Sequence, residues 1–273
     1  MLRASMSLGN SDSLASENPA MTTTPFDTQA STYDCVAESA LGAELRRRVH
    51  AVLNDRIEPA DRVVDLGCGS GLDAAWIAPQ VRSVQAFDSS ADMVARTRDR
   101  CRDFANVSVD HAGVSELEID RPVNVVLANF GVINCVGDLA AFAPRLRAML
   151  VPGGEAVLVS MARWCPIELA IGAATLNRGL VTRRTNGAAT GDYSGMELHY
   201  ASALNLAKRF DGQLELVHAE SLGLVLPPFE QRNWVQRRPK LLGALARADQ
   251  VLGDFGAQLH LGDHHIAVFR RNP

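Results

Sequence analysis

The clearest chemical signal in this sequence is an acid followed by three glycines at alternate positions. Residues 65–71 read Asp-Leu-Gly-Cys-Gly-Ser-Gly, between an apolar run at 63–66 and a helical pattern that begins at Leu72. A strand, a glycine-rich turn and a helix in this order bring backbone N–H groups to a ligand at the end of a sheet strand. The dinucleotide fingerprint G-x-G-x-x-G would need its third glycine at position 72, so a nicotinamide cofactor is disfavoured.

A second acid follows at the end of the next predicted strand. Asp88 lies 17 residues after Gly71. A carboxylate at this place accepts hydrogen bonds from both hydroxyls of a ribose. Such an acid also serves as a turn or N-cap residue, since Ser89 and Ser90 follow it. The glycine motif at a matching distance favours the ribose role.

Four features, in this order, resemble the class I S-adenosylmethionine (SAM) methyltransferases. They are the acid–glycine motif at 65–71, the acid Asp88, the segment Asn-Phe-Gly-Val-Ile-Asn at 129–134 after an apolar strand, and the Val-Pro-Gly-Gly turn at 151–154. The resemblance covers residues 33–160 and beyond that extends only to the general plan of strands. It implies SAM as cofactor and a methyltransferase activity.

The resemblance also implies a set of cofactor contacts. In the family the first acid binds the amino group of methionine, and the acid after the second strand binds the ribose. An acid that often binds adenine is replaced here by Gly113, so backbone groups are expected to take its place. Carried onto this sequence, the contacts are Tyr33, Asp65, Gly67, Cys68, Gly69, Asp88, Ser89, Met93, Gly113, Val114, Asn129 and Phe130.

Two of these assignments leave alternatives open. Tyr33 belongs to a segment that resembles the family's cofactor cover, or it lies in a surface turn before a helix. Met93 lines the adenine pocket or belongs to the core. Asn129 stands where other members carry Asp, Ser or Asn, and no proline follows it. The missing proline removes support for methylation of a nucleic-acid base.

His264 is the candidate catalytic residue. In the family fold the last strand runs antiparallel, so its beginning lies at the cofactor side of the sheet. The strand is predicted over 266–270, with Asp263 and His264 just before it. A histidine beside an aspartate at this place suits a general base, because imidazole titrates near neutral pH. The alternative is a histidine that binds backbone groups at the strand entrance.

The predicted fold is an α/β, doubly wound, seven-stranded sheet of order 3-2-1-4-5-7-6, with its last strand antiparallel and helices on both faces. One domain is expected over 26–273, with helical lid insertions at about 161–200 and 227–260.

Within that domain, a strand is predicted over 214–226 and a helical segment over 232–252. Residues 1–25 are rich in Ser, Thr, Ala and Asn and are interpreted as a disordered leader. The three arginines at 46–48 are interpreted as a solvated helix face.

The composition of the chain limits the kinds of partner that are expected. The chain has 273 residues and a net charge of −4, without the basic footprint of a nucleic-acid-binding protein. It has five cysteines without a C-x-x-C pair, so no metal site is expected and a cytoplasmic location fits best. It contains no run of 18 uncharged apolar residues, so no membrane span is expected. The oligomeric state is not predicted.

The acceptor is expected to be a small molecule, methylated on oxygen, nitrogen or carbon. The two insertions suggest a partly enclosed pocket, as in enzymes of specialised metabolism. A second hypothesis is a SAM-binding protein, or a cyclase on the same scaffold, that transfers no methyl group. RNA or protein acceptors are a further alternative, and the weak basic character argues against RNA.

Overall fold

The computed structural model describes residues 30–184, 188–190 and 197–272. The predicted leader over 1–25 lies outside the described residues, and so do parts of the first predicted insertion, 185–187 and 191–196. Within the part that is described, no helix combines the length and the apolar character needed to cross a lipid bilayer.

The core of the fold is one mixed sheet whose strands follow in the order β3-β2-β1-β4-β5-β9-β8. Strands β1 to β5 pair in parallel, and β9 runs antiparallel to both of its neighbours. The strands of this sheet are β1 (Arg62–Leu66), β2 (Ser83–Asp88), β3 (Val107–His111), β4 (Val123–Ala128), β5 (Leu150–Met161), β8 (Glu215–Leu222) and β9 (His264–Arg270).

Counted along this sheet alone, the order is the predicted 3-2-1-4-5-7-6. Two further strands were not predicted, β6 (Ala188–Thr190) and β7 (Glu197–His199), and these pair only with each other. They form a short ribbon within the first insertion, and they change the numbering of the last two strands of the sheet.

Helices cover both faces of the sheet, and each face has its own apolar core. Strands β1, β4 and β5 are buried along most of their length, in agreement with their largely apolar sequences. The α-helices are α1 (Ala30–Ala37), α2 (Ala40–Asn54), α3 (Leu72–Ile77), α4 (Ala91–Arg100), α5 (Leu139–Met149), α6 (Pro166–Ala174), α7 (Arg178–Thr182), α8 (Ala203–Arg209), α9 (Arg232–Gln236), α10 (Pro239–Val251) and α11 (Gly253–Gln258).

Three predicted boundaries were wrong. The strand predicted over 214–226 ends at Leu222, because Gly223 turns the chain with φ +77°. The helix predicted over 232–252 is two helices, because Pro239 starts a new one and cannot continue the hydrogen bonding of α9. The last strand begins at His264 rather than at residue 266, since it pairs with β5 as far as Met161.

His265, buried in β9, predicts an acid sensitivity of the fold. Burial, with His260 and His264 nearby, lowers the pKa of His265 from 6.5 to about 4. The unfolded chain then binds more protons between these values, so the free energy of unfolding should fall by about 3 kcal/mol as the pH drops from 6.5 to 4. Urea titrations at several pH values measure this fall.

The matched control for this prediction is the exposed histidine His111. His265→Asn should flatten the pH dependence over this range, whereas His111→Asn should keep it. A slope that is equally steep in the His265→Asn protein would contradict the assignment.

Candidate functional site

The glycine-rich turn leaves β1 with its backbone in the left-handed region. The φ values are +63° at Gly67 and +56° at Gly69, conformations that side chains other than glycine rarely adopt. The N–H of Cys68 donates to the carbonyl of Phe87 at 2.9 Å, and the N–H of Gly69 donates to Oδ2 of Asp88 at 2.8 Å. The turn is therefore fixed to the end of β2, and the two predicted acids flank it.

Asp65 is a buried acid with an unsatisfied oxygen. It is 1% exposed, and its Oδ2 has no hydrogen-bond partner in the protein. Burial, with Asp73 close by, raises the pKa of Asp65 well above its usual range, and Arg46 offsets this only in part. The carboxyl has a hydrogen bond with the backbone of Ala74, but leaving its second, buried oxygen without a partner is costly. A cationic amino group would remove that cost, so Asp65 fits the methionine moiety of SAM.

Asp88 holds the glycine-rich turn at the end of β2. Its Oδ1 accepts the N–H of Ser90 at 2.9 Å, while Oδ2 accepts the N–H of Gly69. A carboxylate offers about four acceptor positions, so fixing the turn is compatible with binding two hydroxyls. The N–H of Ala112 donates to the carbonyl of Asp88 at 3.0 Å, which brings the Gly113–Val114 segment to the same strand end.

Tyr33, from α1, lies over the glycine-rich turn. A Cβ built on Gly69 would lie 3.5 Å from both Cε1 and the hydroxyl oxygen of Tyr33. Burial raises the pKa of Tyr33, and Arg46 acts in the opposite direction and forms a hydrogen bond with its side chain. The tyrosine thus remains a neutral phenol at the position expected for a cover over the cofactor.

Arg46 is the main site residue that the sequence interpretation missed. The arginines at 46–48 were assigned to a solvated face, and this was wrong for two of them. Arg46 and Arg48 are buried, and Arg47 is exposed. Arg46 forms an ion pair with Asp73, a residue 27 positions away that the local sequence pattern does not reveal.

A hydrogen-bonded group surrounds Asp73 behind the glycine turn. Oδ1 of Asp73 lies 2.7 Å from Nε2 of His50, and Oδ2 accepts from Nδ2 of Asn129 at 2.9 Å. Burial alone would raise the pKa of Asp73, but Arg46 and His50 outweigh it and hold the pKa well below its usual range. Nε of Arg46 remains buried without a partner. An unsatisfied donor thus lies in the same buried group as the unsatisfied acceptor on Asp65.

Phe130 adopts an unusual backbone conformation at the end of β4. Its φ is +44°, and its N–H donates to Oδ1 of Asn129 at 3.0 Å. Its ring centroid lies 5.1 Å from the guanidinium carbon of Arg46 and 5.5 Å, edge to face, from the imidazole of His264. Strain of this kind in a bulky residue typically accompanies functional sites. Both polar atoms of the Asn129 side chain have partners, Phe130 and Asp73, and its role toward a cofactor stays a prediction.

His264 lies at the start of β9, across the rim from the glycine turn. It is buried, and its Nδ1 is 3.1 Å from Oδ2 of Asp263. This is an ion-pair distance, although the approach is off the line that a hydrogen bond prefers. His264 begins β9, directly after Asp263, and its contact with Phe130 joins this strand start to the end of β4. The catalytic role of His264 stays a prediction.

The remaining predicted contacts differ in accessibility. Ser89 is exposed, and its carbonyl lies 2.9 Å from Nε2 of His111. Met93 is 2% exposed, so its side chain is part of the interior. The side chain of Cys68 is buried, with its sulfur 3.5 Å from the hydroxyl oxygen of Thr97. The roles of these residues toward a cofactor stay predictions.

One group of residues has side chains of the kinds that bind metal ions. Ligand atoms of Cys165, Glu168 and Asp263 lie within 4.8 Å of one another. Both carboxylates already form ion pairs with Arg184. The arginine thus supplies the positive charge that a metal ion would bring.

Gly67 should be the least replaceable glycine of the turn. A Cβ at this position would lie 2.4 Å from Cγ2 of Val132, whose branched side chain is stiff. Gly67→Ala should therefore weaken SAM binding by about tenfold or more, through strain of 1–2 kcal/mol and displacement of the turn. Calorimetric titration of the variant with SAM measures the change.

Gly69→Ala is the matched control, because it carries the same backbone strain without a close contact. We expect it to bind SAM more tightly than the Gly67→Ala protein. Equal affinities would show that the contact with Val132 has no influence on the site.

Known proteins are similar to this chain over the segment that contains the glycine-rich turn. Residues 63–154 match the family model of a methyltransferase domain. Trans-aconitate 2-methyltransferase of Pseudomonas aeruginosa is 30% identical over 126 residues, which are 45% of this chain and 44% of that enzyme. The chain therefore matches less than half the length of this relative.

Two solved structures have the same fold over most of the chain. The N-methyltransferase NodS of Bradyrhizobium japonicum, in complex with S-adenosylhomocysteine, has a TM-score of 0.58 at 14% identity and covers 91% of this chain and 96% of its own. The [4+2]-cyclase SpnF has a TM-score of 0.60 at 17% identity and covers 92% and 96%. At these identities the likeness concerns the fold.

Proposed function

We propose that this chain, a class I S-adenosylmethionine-dependent methyltransferase, transfers a methyl group from SAM to a small-molecule acceptor. The observation that carries the proposal is the buried, unsatisfied Oδ2 of Asp65 beside a glycine turn that is fixed to Asp88. Burying this oxygen without a partner costs free energy in the free protein, and a cationic ligand group at the end of the central strand would remove that cost.

Different residues around the turn bind different parts of the cofactor. Asp65 binds the methionine ammonium, and Arg46 is placed to bind the methionine carboxylate. Asp88 accepts the ribose hydroxyls, and backbone groups at 113–114 read the adenine. Tyr33 covers the turn, as its contact distance to Gly69 supports.

The chemistry that SAM supplies is an activated methyl group, so the protein mainly has to align the acceptor and exclude water. Phe130, held by Asn129, forms the wall between the cofactor side and His264. His264 accepts a proton from the acceptor when the nucleophile must lose one. Asp263 stabilises the resulting imidazolium.

The proposed acceptor is a small molecule, because helices of two insertions flank this rim. Helices α6 and α7 follow β5, and α9 to α11 precede β9. Loops and helices at this end of a sheet determine specificity in α/β enzymes. The net charge of −4 supports an acceptor other than a nucleic acid.

The test is a screen of acceptor classes in which S-adenosylhomocysteine is quantified. Carboxylic acids, amino sugars, phenols and quinols are each incubated with SAM and the intact protein. Formation of S-adenosylhomocysteine together with a methylated product supports the proposal. SAM binding without S-adenosylhomocysteine formation across the panel would instead favour a binding protein or a cyclase, and would count against methyl transfer.

A further inference from the structure

Arg184 ties the insertion after β5 to the rim of the sheet. It is 7% exposed, and its Nη1 donates to the carbonyl oxygens of Ala162 and Asp263, both at 3.0 Å. Ala162 directly follows β5, and Asp263 directly precedes β9. One guanidinium group therefore holds the ends of two neighbouring strands at the edge where His264 lies.

The carboxylate of Asp263 is shared between Arg184 and His264. Its Oδ1 accepts from Nη2 of Arg184 at 2.5 Å, and its Oδ2 lies 3.1 Å from Nδ1 of His264. Burial alone would raise the pKa of Asp263, but His264 and Arg184 outweigh it and hold the pKa well below its usual range. Asp263 is therefore ionised, with one oxygen for each partner.

Glu168 in α6 anchors the arginine from the other side. Its Oε2 lies 2.7 Å from Nη2 of Arg184, and Arg183 binds the same carboxylate with its Nε and Nη2 at 2.6 and 2.7 Å. Glu168 is buried, whereas the side chain of Arg183 is 37% exposed. The two adjacent arginines thus share one acid, and the contacts to Asp263 come from Arg184.

We propose that Arg184 is a positioning residue that sets the tautomer of His264 through Asp263. With one oxygen fixed by Arg184, the other faces Nδ1 and keeps the proton there. Nε2 then carries the lone pair that accepts a proton from the acceptor, and the imidazolium passes this proton to water. The catalytic part of this inference rests on the proposed function, because it assumes that His264 acts as a base.

The tautomer of His264 follows from the negative charge of Asp263 next to Nδ1. A free neutral imidazole favours the proton on Nε2, and a carboxylate at the other nitrogen reverses this preference. Without Arg184 the carboxylate of Asp263 would lose the partner that orients it. His264 would then return toward the tautomer mixture of a free imidazole.

Nitrogen-15 NMR of the full chain with labelled histidine tests the proposal, with the signals assigned through a His264→Asn protein. We expect neutral His264 in the wild type to carry its proton on Nδ1. Arg184→Gln should shift it toward the Nε2–H form and lower kcat by about tenfold or more, because less of the imidazole can then accept a proton at Nε2. The Kd for SAM should stay the same.

Arg183→Gln is the matched control, since Arg183 shares Glu168 with Arg184. It should leave both the tautomer and kcat close to the wild type. Neutral wild-type His264 with its proton on Nε2 would overturn the proposal, whether or not the Arg184→Gln protein folds. A folded Arg184→Gln protein with the wild-type tautomer would overturn it as well.

The NMR result does not depend on catalysis. A wild type that transfers no methyl group to any acceptor would reject the proposed function and leave the tautomer assignment intact. Methyl transfer that is unaffected by His264→Asn would reject only the role of His264 as a base.

Discussion

Asp65→Ala should weaken SAM binding by about a hundredfold or more and leave the free protein as stable as the wild type, or more stable. The loss of affinity follows because truncating one partner of a buried charge pair costs about 2–5 kcal/mol. The stability is retained because the substitution removes a buried oxygen that has no partner in the free protein. Calorimetric titration with SAM and thermal unfolding without it measure the two effects.

The matched control for Asp65→Ala is Asp103→Ala, at a residue whose side chain is 88% exposed. We expect it to change neither SAM affinity nor stability. An Asp65→Ala protein that binds SAM as the wild type does would remove the ammonium-binding role of Asp65. A strongly destabilised one would show that its carboxyl serves the fold instead.

Asp249→Ala should produce the largest loss of stability, about 3–5 kcal/mol in the free energy of unfolding. Asp249 is fully buried and forms an ion pair with Arg48, and its two oxygens also accept the N–H groups of Gly223 at 2.9 Å and Val225 at 2.8 Å. The substitution would leave a buried guanidinium and two buried N–H groups with fewer partners. Urea unfolding at pH 7 measures the change.

Two further variants show whether the ion pair between Arg48 and Asp249 is responsible. Arg47→Ala removes an exposed arginine that pairs with Glu44 in the same helix, and it should change stability by less than about 0.5 kcal/mol. The double variant Arg48→Met with Asp249→Leu removes both charges and should recover part of the loss. A loss below 1 kcal/mol for Asp249→Ala would contradict the assignment.

The sequence predicted those parts of the molecule that depend on short-range patterns. The acid–glycine motif at 65–71, Asp88 after β2 and the apolar run of β4 each follow from residues close together in the chain. They led to the sheet order, which the structure confirms. They also led to the SAM cofactor, which is confirmed by the similarity to SAM-dependent methyltransferases. The Asp263–His264 pair was also visible, because its two residues are adjacent.

Long-range partners could not be predicted in this way. Arg46 binds Asp73 across 27 residues, and Arg48 binds Asp249 across 201 residues. A charged residue in a helix is usually solvated, and only the tertiary fold shows that these two are buried and paired. The left-handed backbone of Phe130 could not be predicted either, because side chains other than glycine rarely adopt this conformation and no local pattern indicates it.

The most direct test of the account is a calorimetric titration of the intact chain with SAM. The account predicts saturable binding of one SAM per chain, competition by S-adenosylhomocysteine, and affinity that is weaker by about a hundredfold or more in the Asp65→Ala protein. A folded wild-type protein that shows no binding of SAM at millimolar concentration would contradict it.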